Sequence, residues 1–140
     1  MSKKLHNGKL YLLSNLSWNH LKKIGVAEHP LLRIKSMQTG LPDDICILYE
    51  SIDLLDKFFY EHMLSKILFK FRYRTNREFY EIETNDFIQF ISTIEIMNRL
   101  YDTEEKLLEF IEQFDNEYYK KRFGYKNKII VKKGLYVCTL

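Results

Sequence analysis

The chain has 140 residues, of which 46% are hydrophobic, 15% aromatic and 29% charged, with a formal net charge of +3. That length argues for one domain with a short appendage, and that apolar content is enough to build a packed core, which excludes intrinsic disorder over most of the chain. No run of about 18 apolar residues is present, Met1-Ser2-Lys3-Lys4 lacks the apolar stretch of a secretory signal, and Cys46 and Cys138 match no metal-binding spacing, so an intracellular protein with free thiols and no membrane span is expected.

Residues 9–14, Lys-Leu-Tyr-Leu-Leu-Ser, read as a strand, and turn residues around Asn15 and Asn19 return the chain to a second strand at 21–26, making a hairpin. Pro30 suits the first turn of a helix with Leu31, Ile34 and Met37 on one face, stopped by Gly40 and Pro42. Asp43 and Asp44 precede an almost continuous apolar run, Ile45 to Tyr49, which predicts a central strand buried on both faces. Ser51 is a candidate cap for a long helix reaching to Phe71, with Leu54, Leu55, Phe58, Phe59, Met63, Ile67 and Leu68 as its apolar stripe.

After a loop at 72–76, residues 78–82 read as a short strand. Asn85 or Asp86 caps a helix to Leu100, and Asp102-Thr103-Glu104-Glu105 starts another that runs to Lys121 and is ended by Gly124. Beyond it, Ile129-Ile130-Val131 and Leu135-Tyr136-Val137 alternate with lysines as a basic strand, hairpin or tail. The order predicts an α+β fold: a small, mostly antiparallel three-stranded sheet flanked by helices, with extra C-terminal helices and a basic tail.

Charge is blocked along the chain. Residues 1–40 carry seven basic groups against Glu28, residues 66–77 carry Lys66, Lys70, Arg72, Arg74 and Arg77 with no acid, and residues 120–140 carry seven basic groups with no acid. The segments between them are acidic. Three basic segments converging on a polyanion are one reading, and alternating solvated faces are the other. Ala27 is the sole alanine, while Lys, Ile, Leu, Phe, Tyr and Asn are abundant, a bias expected of an AT-rich genome.

Glu61 stands out chemically. Leu54, Phe58, Glu61, Ser65 and Leu68 share one helical face, so this carboxylate sits in a largely apolar stripe. An ionised carboxylate there needs a cation, donors or a metal, or its pKa rises. A structural ion pair and a ligand role both satisfy that need. Taken singly, Tyr11, between leucines, reads as a buried tyrosine with a satisfied hydroxyl, and Arg33 as a solvated helix residue more than a phosphate clamp.

Taken together, several blocks resemble the GIY-YIG nuclease superfamily. Gly8-Lys9-Leu10-Tyr11-Leu12-Leu13-Ser14-Asn15, Lys23-Ile24-Gly25, Arg33 with Thr39-Gly40, Glu61, Arg72 and Asn76-Arg77-Glu78-Phe79-Tyr80 follow in the order and spacing of a branch frequent in phages and large DNA viruses. That branch reads G-x-L/I-Y-x-L-S-N, K-I-G, R, E-x-x-x-H and N-R-E-F/W-F. The resemblance covers residues 8–100 or so and is specific as a set.

It implies a metal-dependent DNA endonuclease that hydrolyses phosphodiester bonds with Mg²⁺ or Mn²⁺. Glu61 would hold the metal, Tyr11 would activate or position the attacking water, Arg33 would neutralise charge on the phosphate, and Asn76 would orient a group near the metal. Lys23 stands where the superfamily has its second tyrosine, as is common in this branch; neutral it is a base, protonated a phosphate ligand. Ser65 stands where the branch has a histidine.

The alternative is a catalytically inactive GIY-YIG-like module that binds nucleic acid or protein. Lys22, Lys35, Arg72, Arg74 and Arg77 are the further candidate DNA contacts. The nuclease-like domain is expected over 1–100, with a C-terminal helix and basic tail over 101–140 packed on it. The aromatic residues of the later helices, Phe87, Phe90, Phe110, Phe114 and Tyr118, are compatible with core or with a homodimer contact.

Overall fold

The structure, a computed structural model, describes residues 4–41, 43–74 and 78–124. The basic tail predicted beyond Gly124, with its apolar triplets 129–131 and 135–137, lies outside the described residues, as do Pro42, Asn76 and Arg77. The described residues form two compact units, one within Leu5–Asp102 and a smaller one of Lys4 with residues 103–124.

The larger unit is α+β. Strands β1 (Lys9–Ser14), β2 (Lys22–Ala27), β3 (Cys46–Glu50) and β4 (Phe79–Tyr80) form one antiparallel sheet in the order β3-β1-β2-β4. Helix α1 (Pro30–Gln38) follows the hairpin, α2 (Lys57–Ile67) follows β3, and α3 (Thr84–Leu100) follows β4. The sheet has four strands, not the three expected, because Lys22 and Lys23 pair with Tyr80 and Phe79.

The centre of the sheet also differs from expectation. β1 is central, and its Leu10, Tyr11, Leu12 and Leu13 are all buried. β3 is an edge strand whose exposure alternates from Cys46 to Glu50, so its apolar run has only one covered face. On one face of the sheet, Tyr11 and Leu13 pack with Ile34 of α1, Trp18, Ala27, Met37, Ile45 and Ile47. On the other, Tyr49, opposite Leu12, meets Phe87 of α3 edge to face with 6.2 Å between ring centroids.

The start of α2 is fixed by polar contacts. Asp56, fully buried, accepts from Phe59 N at 3.1 Å as the cap and from His6 N at 2.8 Å. Ser51, the predicted cap, lies outside the helix: its Oγ accepts from Leu10 N at 2.9 Å and donates to Ile52 O at 2.8 Å. Gly8 exchanges backbone hydrogen bonds with Leu54, and a β-carbon on Gly8 would meet Lys57 Cδ at 2.5 Å and Ala27 O at 2.9 Å. These contacts tie the beginning of β1 to the beginning of α2, and thereby the strand bearing Tyr11 to the helix bearing Glu61. Glu95 of α3, nearly buried, accepts from Tyr49 Oη and from Ile52 N.

The smaller unit holds α4 (Glu104–Phe114) and α5 (Asn116–Phe123). Thr103 caps α4 through Lys106 N, and the single helix expected to Lys121 is broken at Asp115, which ends α4 and caps α5 by accepting from Tyr118 N. Gly124 ends α5 at φ 84°.

Candidate active site

Tyr11 is 2% exposed, so its ring is a core residue, yet its hydroxyl is not left alone. The Arg33 guanidinium of α1 and the Glu61 carboxylate of α2 are both near enough to act on it electrostatically. Burial pushes the Tyr11 phenol up, with Glu61 adding to the rise and Arg33 opposing it. The phenol therefore stays protonated at neutral pH. A strand, the first helix and the second helix thus bring Tyr11, Arg33 and Glu61 together.

Glu61 is half-buried, and burial raises its carboxyl above the usual carboxylate range. Among the described residues no Lys, Arg or His forms an ion pair with it, so the structural ion-pair reading finds no partner there. One carboxylate is what this site offers a cation: among the described residues no group of three His, Cys, Asp or Glu is placed to hold one.

Lys23 lies opposite Leu13 in the ladder and Gly25 opposite Tyr11. Directly paired residues share a face, so Lys23, Gly25 and Tyr11 lie on the same side of the sheet. The Lys23 ammonium sits 3.0 Å from the Glu78 carboxylate and 5.8 Å from the Phe79 ring centroid. Glu78, drawn below the usual range by this contact, belongs to the quoted Asn76–Tyr80 block, but sequence reasoning gave it no role. Its pairing with Lys23 crosses strands, and only the β2–β4 register reveals it.

The other candidates divide. Lys22 lies on the opposite face and donates to Ile82 O at 2.8 Å, so it is not brought to the Tyr11 cluster. Lys35 is exposed in the last turn of α1. Arg72 donates to Tyr80 Oη at 3.3 Å, and Arg74 is exposed beside it. Ser65 donates to the His62 carbonyl at 2.9 Å, which ties its hydroxyl to the helix backbone. Asn76 and Arg77 fall outside the described residues.

The geometry offers a phosphate a guanidinium beside a protonated phenol, with an ammonium on the same sheet face and a carboxylate able to take a hard cation. Among the described residues no helix is long and apolar enough to cross a membrane. No curated protein and no solved structure matches the chain. The family model for the T5orf172 domain matches residues 8–95, a span that runs from the residue before β1 into α3 and includes Tyr11, Lys23, Arg33 and Glu61. The chain therefore belongs to the T5orf172 domain family, a nuclease-associated, GIY-YIG-like family that gives it a nuclease-like or DNA-binding character.

Proposed function

We propose that the chain is a divalent-metal-dependent DNA endonuclease. The observation that carries the reading is the meeting of Tyr11, Arg33 and Glu61 from three separate elements. Glu61 suits a hard cation because its carboxylate is an oxygen donor, half-buried and without a protein cation among the described residues. Mg²⁺ or Mn²⁺ would be held there by Glu61, with water and phosphate oxygens completing the shell. When bound, it supplies Lewis-acid neutralisation of the phosphate.

The chain's own residues do the rest. Water adds to the phosphorus of a phosphodiester as one P–O bond breaks, and the leaving oxygen takes up a proton. Tyr11, kept protonated, orients that water through its hydroxyl and does not deprotonate it. Arg33 binds the phosphate oxygens as their charge grows. Lys23, ion-paired with Glu78, serves as a phosphate ligand once DNA takes Glu78's place. By the resemblance Asn76 would orient a group near the metal and Arg77 would contact DNA, and Lys35, Arg72 and Arg74 supply contacts to the DNA backbone.

The test is nicking of supercoiled plasmid by the full chain with Mg²⁺ or Mn²⁺ against the same reaction in EDTA. Metal-dependent conversion to open circle supports the reading, and its absence with both metals rejects it. A second reading, an inactive nucleic-acid-binding module on the same scaffold, is favoured by one observation: Ser65 fills the histidine position and spends its hydroxyl on the helix backbone.

A further inference from the structure

Past the end of α2 the chain makes a 3₁₀ turn, Phe69–Phe71, and then runs beside β4. Tyr73 N donates to Phe79 O at 2.8 Å and Glu81 N to Phe71 O at 2.7 Å, so this segment is pinned to the strand. It encloses an open pocket of about 410 Å³ lined by Phe69, Lys70, Arg72, Tyr73 and Arg74. That volume is in the range of small-ligand sites.

Its composition is unusual in two ways. Phe69 is 65% exposed, a large ring left in water. Lys70, Arg72 and Arg74 supply three cations, and among the described residues none of them is paired with a carboxylate. Arg72 is held between aromatic rings, its guanidinium carbon 5.9 Å from the Phe69 centroid and 5.8 Å from that of Tyr80. Its Nε is buried and lacks an acceptor among the described residues, while its Nη2 is turned to Tyr80 Oη. An open aromatic ring among unpaired cations is the combination that stacks a base while neutralising its phosphates.

We infer that this pocket binds an unpaired nucleotide of a DNA strand, its base stacked on Phe69 and its flanking phosphates on Lys70 and Arg74. From Glu61 to the end of α2 at Ile67 is about 9 Å of helical rise, and Phe69 follows two residues on, so one strand can engage both. The inference rests on the reading of the chain as acting on DNA and narrows its substrate class: single strands, or duplexes carrying an unpaired stretch, are preferred to uninterrupted duplex. A base inside intact duplex is already stacked on its neighbours and offers Phe69 no free face.

The experiment measures fluorescence anisotropy of a labelled single-stranded oligonucleotide and of a duplex of the same length, titrated with the full chain in EDTA. Phe69→Ala is expected to weaken single-strand binding about tenfold and duplex binding less than about twofold, while Phe69→Tyr restores single-strand affinity. Lys70→Gln with Arg74→Gln is expected to weaken both and to flatten the salt dependence of each. Equal loss on both substrates with Phe69→Ala overturns the stacking assignment, as does no loss on either, or displacement of the oligonucleotide by poly-glutamate at equal charge. Circular dichroism of each variant separates these outcomes from unfolding. Single-strand preference without plasmid nicking would keep the pocket and reject the endonuclease reading; nicking without that preference would do the reverse.

Discussion

A β-carbon on Gly25 would stand 2.5 Å from Cε1 of Tyr11 and 2.6 Å from its Cζ and Oη. The two residues are partners in the β1–β2 ladder, so glycine here is what lets the tyrosine ring lie across the neighbouring strand. The glycine of the Lys23-Ile24-Gly25 block thus has a steric cause.

Gly25→Ala is therefore expected to destabilise the protein by about 1–3 kcal/mol through overpacking, measured by urea denaturation. In a Tyr11→Ala background the same change should cost close to nothing, since the atoms it strikes are gone. An equal cost in both backgrounds would place the strain elsewhere.

The Glu61 carboxyl gives a pH prediction. Burial raises it above its ordinary value of 4.5, so the native state holds this proton to higher pH than the unfolded chain does. Its contribution to stability is accordingly complete below the unfolded value and lost as pH rises through the native one. Glu61→Gln has no such loss. The variant's melting temperature should match the parent's below about pH 4 and exceed it near neutrality, and Mg²⁺ should then raise the parent's alone. Parallel melting curves across this range would contradict both parts.

Asp56 tests the joint that brings β1 and α2 together. Removing its carboxylate orphans the backbone N–H groups of Phe59 and His6. Asp56→Ala should cost roughly 2–4 kcal/mol by denaturant unfolding, and Asp56→Asn, which keeps an acceptor, clearly less. A cost under half a kilocalorie for the alanine variant would show that the joint does not depend on this cap.

The Lys23–Glu78 pair lies where phosphate is expected to bind. Glu78→Gln should leave the melting temperature unchanged, because the acid is solvent-exposed, and should tighten duplex binding about two- to fivefold at low salt by freeing the ammonium. Weaker binding would mean that Glu78 orients Lys23 for DNA and does not compete with it.

How far these features were legible differs by residue. The strand at Lys9–Ser14, the helix opened by Pro30 and the helix start within Asp102–Glu105 are local patterns, and each appears where its pattern puts it. The run Ile45–Tyr49 misled because apolar content does not say how many sheet faces are covered, and β3 is an edge. Ser51 has cap chemistry, but a serine serves a strand's N–H as well as a helix's, and Asp56 took the helix. The break at Asp115 carries no Gly or Pro; the aspartate itself ends one helix and caps the next. Tyr11, Arg33 and Glu61 were legible only as a spaced set, since nothing local relates them, and the role of Glu78 depends on a strand pairing that residues 78–82 do not announce.

The measurement that bears most directly on the proposed active site is cleavage and DNA affinity of Glu61→Gln measured side by side on the full chain. The amide matches the carboxylate in shape but holds hard cations poorly. Metal-dependent nicking should fall by at least about 10²-fold, the size of loss that follows removal of one group stabilising transition-state charge, while affinity for DNA in EDTA and the far-ultraviolet spectrum stay the same. Undiminished nicking by a folded Glu61→Gln variant would contradict the account.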